Sequence, residues 1–73
     1  MDKVLAGKDI EVGMLLYCKG FAGGYATVLD KALQWETTTT SGDYYEWWII
    51  QVIDGGDDVY WFELDEHDVF IVK

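Results

Sequence analysis

The chain has no proline, a single cysteine and, from position 32 to position 72, neither lysine nor arginine. Each absence excludes something. Without proline, glycine is the main breaker of regular structure, and positions 20–24 and 55–56 carry the clearest breaks. A lone Cys18 rules out an internal disulfide and suits a reducing compartment, where a buried thiol acts as a small hydrophobe. The first eight residues hold no long apolar run and soon meet Asp9 and Glu11, so neither a signal peptide nor a membrane anchor is expected. A soluble, cytoplasmic protein is expected. Only five lysines face fourteen acids, which disfavours direct binding to nucleic acid or to anionic lipid.

What is present is unevenly distributed. Residues 1–31 balance Lys3, Lys8, Lys19 and Lys31 against Asp2, Asp9, Glu11 and Asp30, so the net charge of −9 arises from the remainder. Residues 32–72 carry ten carboxylates and all four tryptophans. A field this one-sided repels phosphates and attracts basic surfaces. It does not signal disorder, because 51% of the residues are hydrophobic and 16% aromatic, well beyond a disordered acidic tail. Seventy-three residues make one domain, 1–73, of a size at which aromatic side chains must compensate for a small core.

Alternation of side chains predicts strands. Residues 14–19 read as the first, with Met14, Leu16 and Cys18 on one face and Leu15, Tyr17 and Lys19 on the other. Residues 44–54 and 58–64 are aromatic and β-branched runs flanking a glycine turn, and read as a hairpin. Gln51 and Glu63 mark the odd positions as solvent-facing, which leaves Trp48, Ile50, Val52, Tyr60, Phe62 and Leu64 for the core. Opposed residues share a face, so even must pair with even, and the loop must be odd-numbered. A three-residue loop, Gly55-Gly56-Asp57, with a bulge at a positive-φ glycine, satisfies this and sets Trp61 beside Gln51. Residues 25–36 are ambiguous. Val28, Leu29, Ala32 and Leu33 fit a helical stripe, and Thr27 with Asp30 resembles a capping box, whereas Tyr25-Ala26-Thr27-Val28 and the threonines 37–40 favour extended chain. A turn at residues 40–43 follows. Residues 65–68 read as a short turn into a closing strand at 69–72. The expected class is mostly β with five short strands; the alternative is α+β with a helix near residues 25–36.

Several short segments resemble SH3-like barrels. Val12-Gly13-Met14-Leu15-Leu16 looks like the start of the first strand in such domains, Tyr25-Ala26-Thr27-Val28 like the second strand of Tudor-type relatives, and Trp47-Trp48 like the paired tryptophans of SH3 domains. Trp61-Phe62 through Asp68-Val69 resembles the final strand-turn-strand. The resemblance implies a five-stranded SH3-like barrel over residues 12–72. The acidic-tyrosine motif of the SH3 peptide groove is missing, as is the proline before the last strand. Size, charge and aromatic content also resemble small acidic phage-encoded inhibitors that imitate the DNA backbone, which implies a host-cytoplasm location and a nucleic-acid-binding target. No motif carries that second likeness.

Asp54, Asp57, Asp58, Glu63, Asp65, Glu66 and Asp68 place seven carboxylates within fifteen residues. Solubility alone is served with less self-repulsion by interspersed lysines, so this row reads as a surface for a basic partner. Asp43 and Glu46 extend it, and outward-facing Trp47 and Trp61 supply apolar anchors. No metal, cofactor or catalytic site is expected. The aspartates of the glycine turn lack EF-hand spacing, His67 has no second nitrogen or sulfur ligand, Cys18 points inward, and residues 20–24 lack the lysine of a phosphate loop. Two functions remain: a non-enzymatic protein that occludes a basic, nucleic-acid-binding surface of a larger protein, and a peptide-recognition adaptor in which Tyr44, Tyr45, Trp47 and Trp61 form an aromatic groove or cage.

Overall fold

The computed structural model describes residues 1–72. It is mostly β, with a single antiparallel sheet of six strands: β1 (Asp2–Lys3), β2 (Leu15–Tyr17), β3 (Tyr25–Thr37), β4 (Tyr44–Asp54), β5 (Val59–Glu63) and β6 (Phe70–Ile71). Their order across the sheet is β1-β6-β2-β3-β4-β5. The expected five strands are thus six, because Asp2 and Lys3 pair with Ile71 and Phe70. Nor are all the strands short: β3 has 13 residues and β4 has 11. Among the described residues β1 and β5 do not pair, so the sheet does not close into a barrel. No helix there is long and apolar enough to cross a membrane.

The β4–β5 hairpin has the expected register. Ile50 pairs with Phe62, Val52 with Tyr60, and Gln51 with Trp61. Its loop is Gly55-Gly56-Asp57, and the left-handed residue is Asp57 at φ 63°, not a glycine. A three-residue loop closes through a left-handed third position, and aspartate is among the few side chains that tolerate it. Gly55 is needed for another reason. Its N–H donates to the Ala22 carbonyl at 3.1 Å, and a Cβ there would lie 2.6 Å from that oxygen.

Residues 25–36 are strand, and a bulge explains why they imitate a helix. Val28 pairs with Val52 and Asp30 with Gln51, which leaves Leu29 as the extra residue. Ala26 and Val28 face the core before the bulge; Lys31 and Leu33 share the core-side face after it. The one-residue change of phase breaks a period of two into spacings near three, so the hydrophobic pattern drifts toward that of a helix.

The core gathers Leu16 and Cys18 from the first hairpin, Phe21 from the following loop, Ala26, Val28, Ile50, Val52 and Phe62 from the sheet, and Val4, Ile10, Leu64 and Val69 from connecting segments. Each fully buried aliphatic side chain contributes about 1.5–3 kcal/mol. Trp48 lies half-buried against this cluster. Gly7 fits beneath its indole, so closely that a Cβ would lie 2.1 Å from the ring. Lys31 completes the contact, with Nζ 5.4 Å from the Trp48 ring centroid and 3.2 Å from the Gly7 carbonyl. Beyond Trp48 the β3–β4 ribbon leaves the core. The radius of gyration is 13.3 Å, against about 11 Å for a spherical domain of this length.

Candidate functional site

The carboxylates fall into three separate groups. Eleven residues of β4, at roughly 3.3 Å each, put about 35 Å between Asp43 at one end and the β4–β5 turn at the other. Five residues of β5 put roughly 17 Å between Asp57 and Asp58 on one side and Glu63, Asp65 and Glu66 on the other.

In the first group, at the tip of the β3–β4 ribbon, the acids are engaged locally. Asp43 accepts from the Ser41 hydroxyl at 2.9 Å, its N–H reaches Thr38 Oγ1 at 3.2 Å, and Gly42 takes the left-handed conformation at φ 69°. Glu46 accepts from the Tyr44 hydroxyl at 2.7 Å, and Glu36 accepts across the ribbon from Tyr45 at 3.1 Å. Both phenols are held above their usual range, chiefly by the hydrogen bond to the carboxylate.

The second group is the β4–β5 turn, where the aspartates differ in kind. Asp57 and Asp58 are exposed, but Asp54 is only 9% exposed. Its Oδ1 accepts the N–H groups of Gly56 at 2.9 Å and Asp58 at 3.3 Å. Burial pushes its carboxyl up, but the Gly56 and Asp58 amides, the Tyr60 hydroxyl and the Ala22 backbone outweigh burial and hold it below the usual carboxylate range. Asp54 therefore ties the turn together and leaves the acidic surface to its neighbours.

The third group surrounds the one-turn 3-10 helix Leu64–Glu66 that follows β5. The Glu66 carboxylate beside Glu63 is the main reason the Glu63 carboxyl sits above its ordinary value, followed by partial desolvation, a hydrogen bond with Glu66 and the charge of Asp65. Among the described residues, Glu63, Asp65 and Glu66 form no ion pair. Asp68 stands apart from them, paired with Lys3 Nζ at 3.1 Å in an exposed contact of little energetic weight. His67 packs edge-on against Phe62, ring centres 5.6 Å apart. Among the described residues no three of His, Cys, Asp and Glu come together as a metal site.

The tryptophans divide as well. Trp61 is 43% exposed on the outer face, opposite Gln51, with exposed Val59 on the same face. Trp47 shares that face by strand alternation but stands roughly 13 Å further along β4. Its ring neighbour is Tyr45, centroids 5.9 Å apart, whereas Tyr44 lies on the opposite face against Trp35 at 6.2 Å. Tyr44, Tyr45, Trp47 and Trp61 do not converge on one point. Trp35, at 63% exposure, was not among the sequence candidates. The signal was available in its place between polar Gln34 and Glu36, beside the threonine run, where a strand has no core to meet.

No protein-family model, curated protein or solved structure matches this chain.

Proposed function

We propose that the protein is a non-catalytic acidic binding protein that occludes a basic, nucleic-acid-binding surface of a larger protein. Its scaffold reads as an SH3-like barrel with one open seam, on the strength of the loop diverging after β2 and the 3-10 turn before the last strand. The observation that carries the reading is the surround of β5. Exposed Asp57 and Asp58 stand at one end, exposed Glu63, Asp65 and Glu66 at the other, and exposed Trp61 lies between them. No lysine or arginine occurs in the same stretch of sequence. Such a surface draws a basic partner by charge and holds it by apolar contact. The buried free thiol of Cys18 is in keeping with action in a reducing cytoplasm, the host cytoplasm if the protein is phage-encoded. The adaptor reading is weaker, because its four candidate rings lie on two faces of the ribbon and at separate heights.

The test is capture of cytoplasmic proteins on the immobilised full chain at low and high salt. Occlusion through charge weakens steeply with ionic strength. Reversal of Asp58, Asp65 and Glu66 to lysine is expected to abolish capture with the fold intact, since exposed turn charges add little to stability, and Asp57 is kept because its left-handed backbone at φ 63° disfavours lysine. Duplex DNA must displace the protein from its partner. A partner that holds DNA and this protein together, without mutual weakening, rules the occlusion reading out.

A further inference from the structure

The sheet ends at β5, and the main chain of that strand has a free side. Among the described residues β5 pairs with β4 alone. The Asp54 N–H donates to the Asp58 carbonyl at 3.0 Å, which makes this a hydrogen-bonded position of the ladder. Hydrogen-bonded and non-bonded pairs alternate along an antiparallel ladder, so Val52–Tyr60 and Ile50–Phe62 are also bonded pairs. The N–H and C=O groups of Val59, Trp61 and Glu63 then point away from β4. Among the described residues, no turn or loop hydrogen bond reaches the main-chain groups of Val59 and Trp61 or the Glu63 N–H, while the Glu63 carbonyl opens the 3-10 turn Leu64–Glu66 that follows.

An edge of this kind invites a further strand, and proteins that must avoid this place lysine, proline or a bulge on it. β5 has none of the three. Its guard is negative charge at both ends, and that guard is selective. If a second copy paired with β5 antiparallel about Trp61, Asp57 would face Asp65 of the other copy and Val59 would face its Glu63. Like charges directly opposed are destabilising, so self-pairing is disfavoured. An incoming strand with lysine or arginine near its ends meets carboxylates instead.

Resting on the occlusion reading and giving it a binding mode, we propose that the free edge of β5 takes up an extended basic segment of the partner as an added strand. Main-chain bonds to Val59, Trp61 and Glu63 supply the pairing. Outer-face side chains of the guest lie beside Val59 and Trp61, and its cations reach Asp57 and Asp58 at one end and Asp65 and Glu66 at the other.

The probe is the synthetic peptide Lys-Val-Thr-Val-Thr-Val-Lys, added to the full chain at low ionic strength with amide exchange followed by NMR. The Val59, Trp61 and Glu63 amides are expected to gain protection of at least about tenfold, while Tyr60 and Phe62, already bonded to β4, change little. A peptide of the same charge, N-methylated on the alternate amides along one edge, is expected to bind at least about tenfold more weakly, the equivalent of one or two main-chain hydrogen bonds. Unchanged exchange at the three edge amides under saturating peptide, or equal affinity of the methylated peptide, overturns strand addition. The two readings fail separately: loss of partner capture on charge reversal with unprotected edge amides keeps occlusion and removes strand addition. Capture that survives charge reversal removes both.

Discussion

The two ends of the β3–β4 ribbon are built from similar residues and have opposite surroundings. Near the bulge, Val28, Ile50 and Val52 lie fully buried between β2, β5 and the connecting loops. Toward the tip, Leu33, Trp35, Tyr44 and Tyr45 are equally apolar or aromatic, and all are exposed. The difference lies in what covers the ribbon. Among the described residues, β2 meets β3 only at residues 25–27 and β5 meets β4 only at residues 49–53, so the distal half of the ribbon has there neither a neighbouring strand nor a core to pack on. Hydrophobicity there must be stabilised locally, by the Trp35–Tyr44 and Tyr45–Trp47 ring pairs and the tyrosine–glutamate hydrogen bonds. A hydrophobic strand is evidence of pairing, but burial depends on the rest of the chain.

The sharpest way to break this comparison is to truncate one residue at each end. Ile50→Ala removes a fully buried side chain and is expected to cost about 2–5 kcal/mol in urea unfolding. Trp35→Ala removes a larger side chain and is expected to cost less than about 1.5 kcal/mol, the scale of one aromatic pair. Comparable losses would mean that the ribbon tip is packed in solution.

The boundary between the two regions is Trp48, and Gly7 fixes it. A methyl at that position meets the indole at 2.1 Å, which no rotation of the glycine can relieve, so Gly7→Ala is expected to cost about 1–3 kcal/mol. Because Lys31 Nζ reaches both the Gly7 carbonyl and the Trp48 ring, displacement of the indole should also appear as a change in tryptophan fluorescence. A variant as stable as the parent, with an unchanged spectrum, would place the boundary elsewhere.

The packed half was the more legible in sequence, for a physical reason. Where one face is buried, a polar residue in mid-strand announces the other face, and Gln51 and Glu63 thereby fixed the β4–β5 register. The bulge at Leu29 changed the phase of β3 and left strand and helix in competition. β1 gave no local signal at all, since Asp2 and Lys3 are a strand only through Ile71 and Phe70. At the site, counting carboxylates found the acidic surface but could not separate Asp54, an acceptor for turn amides, from Asp57 and Asp58, which face solvent. A sequence records charge; only the fold decides whether water or the backbone answers it.

That distinction gives the smallest predicted effects, and their signs are opposite. The folded-state carboxyl of Asp54 is held low, so it contributes stability above its unfolded value that is lost as pH falls through the folded one. Asp54→Asn should therefore lower the Tm at neutral pH, with the gap to the parent narrowing on acidification. Glu63 is held high by the carboxylates of Glu66 and Asp65. The folded state then binds its proton more tightly than the unfolded chain does, so stability is lost as pH rises from the unfolded value through the folded one, and the deficit persists at neutral pH. Glu63→Gln relieves it and should raise the Tm slightly at neutral pH, with no gain below the carboxylate range. Tm measured against pH for the parent and both variants decides the matter. If Asp54→Asn and Glu63→Gln shift the Tm in the same direction at neutral pH, the division into one carboxylate that builds the turn and others that form an unneutralised surface is wrong.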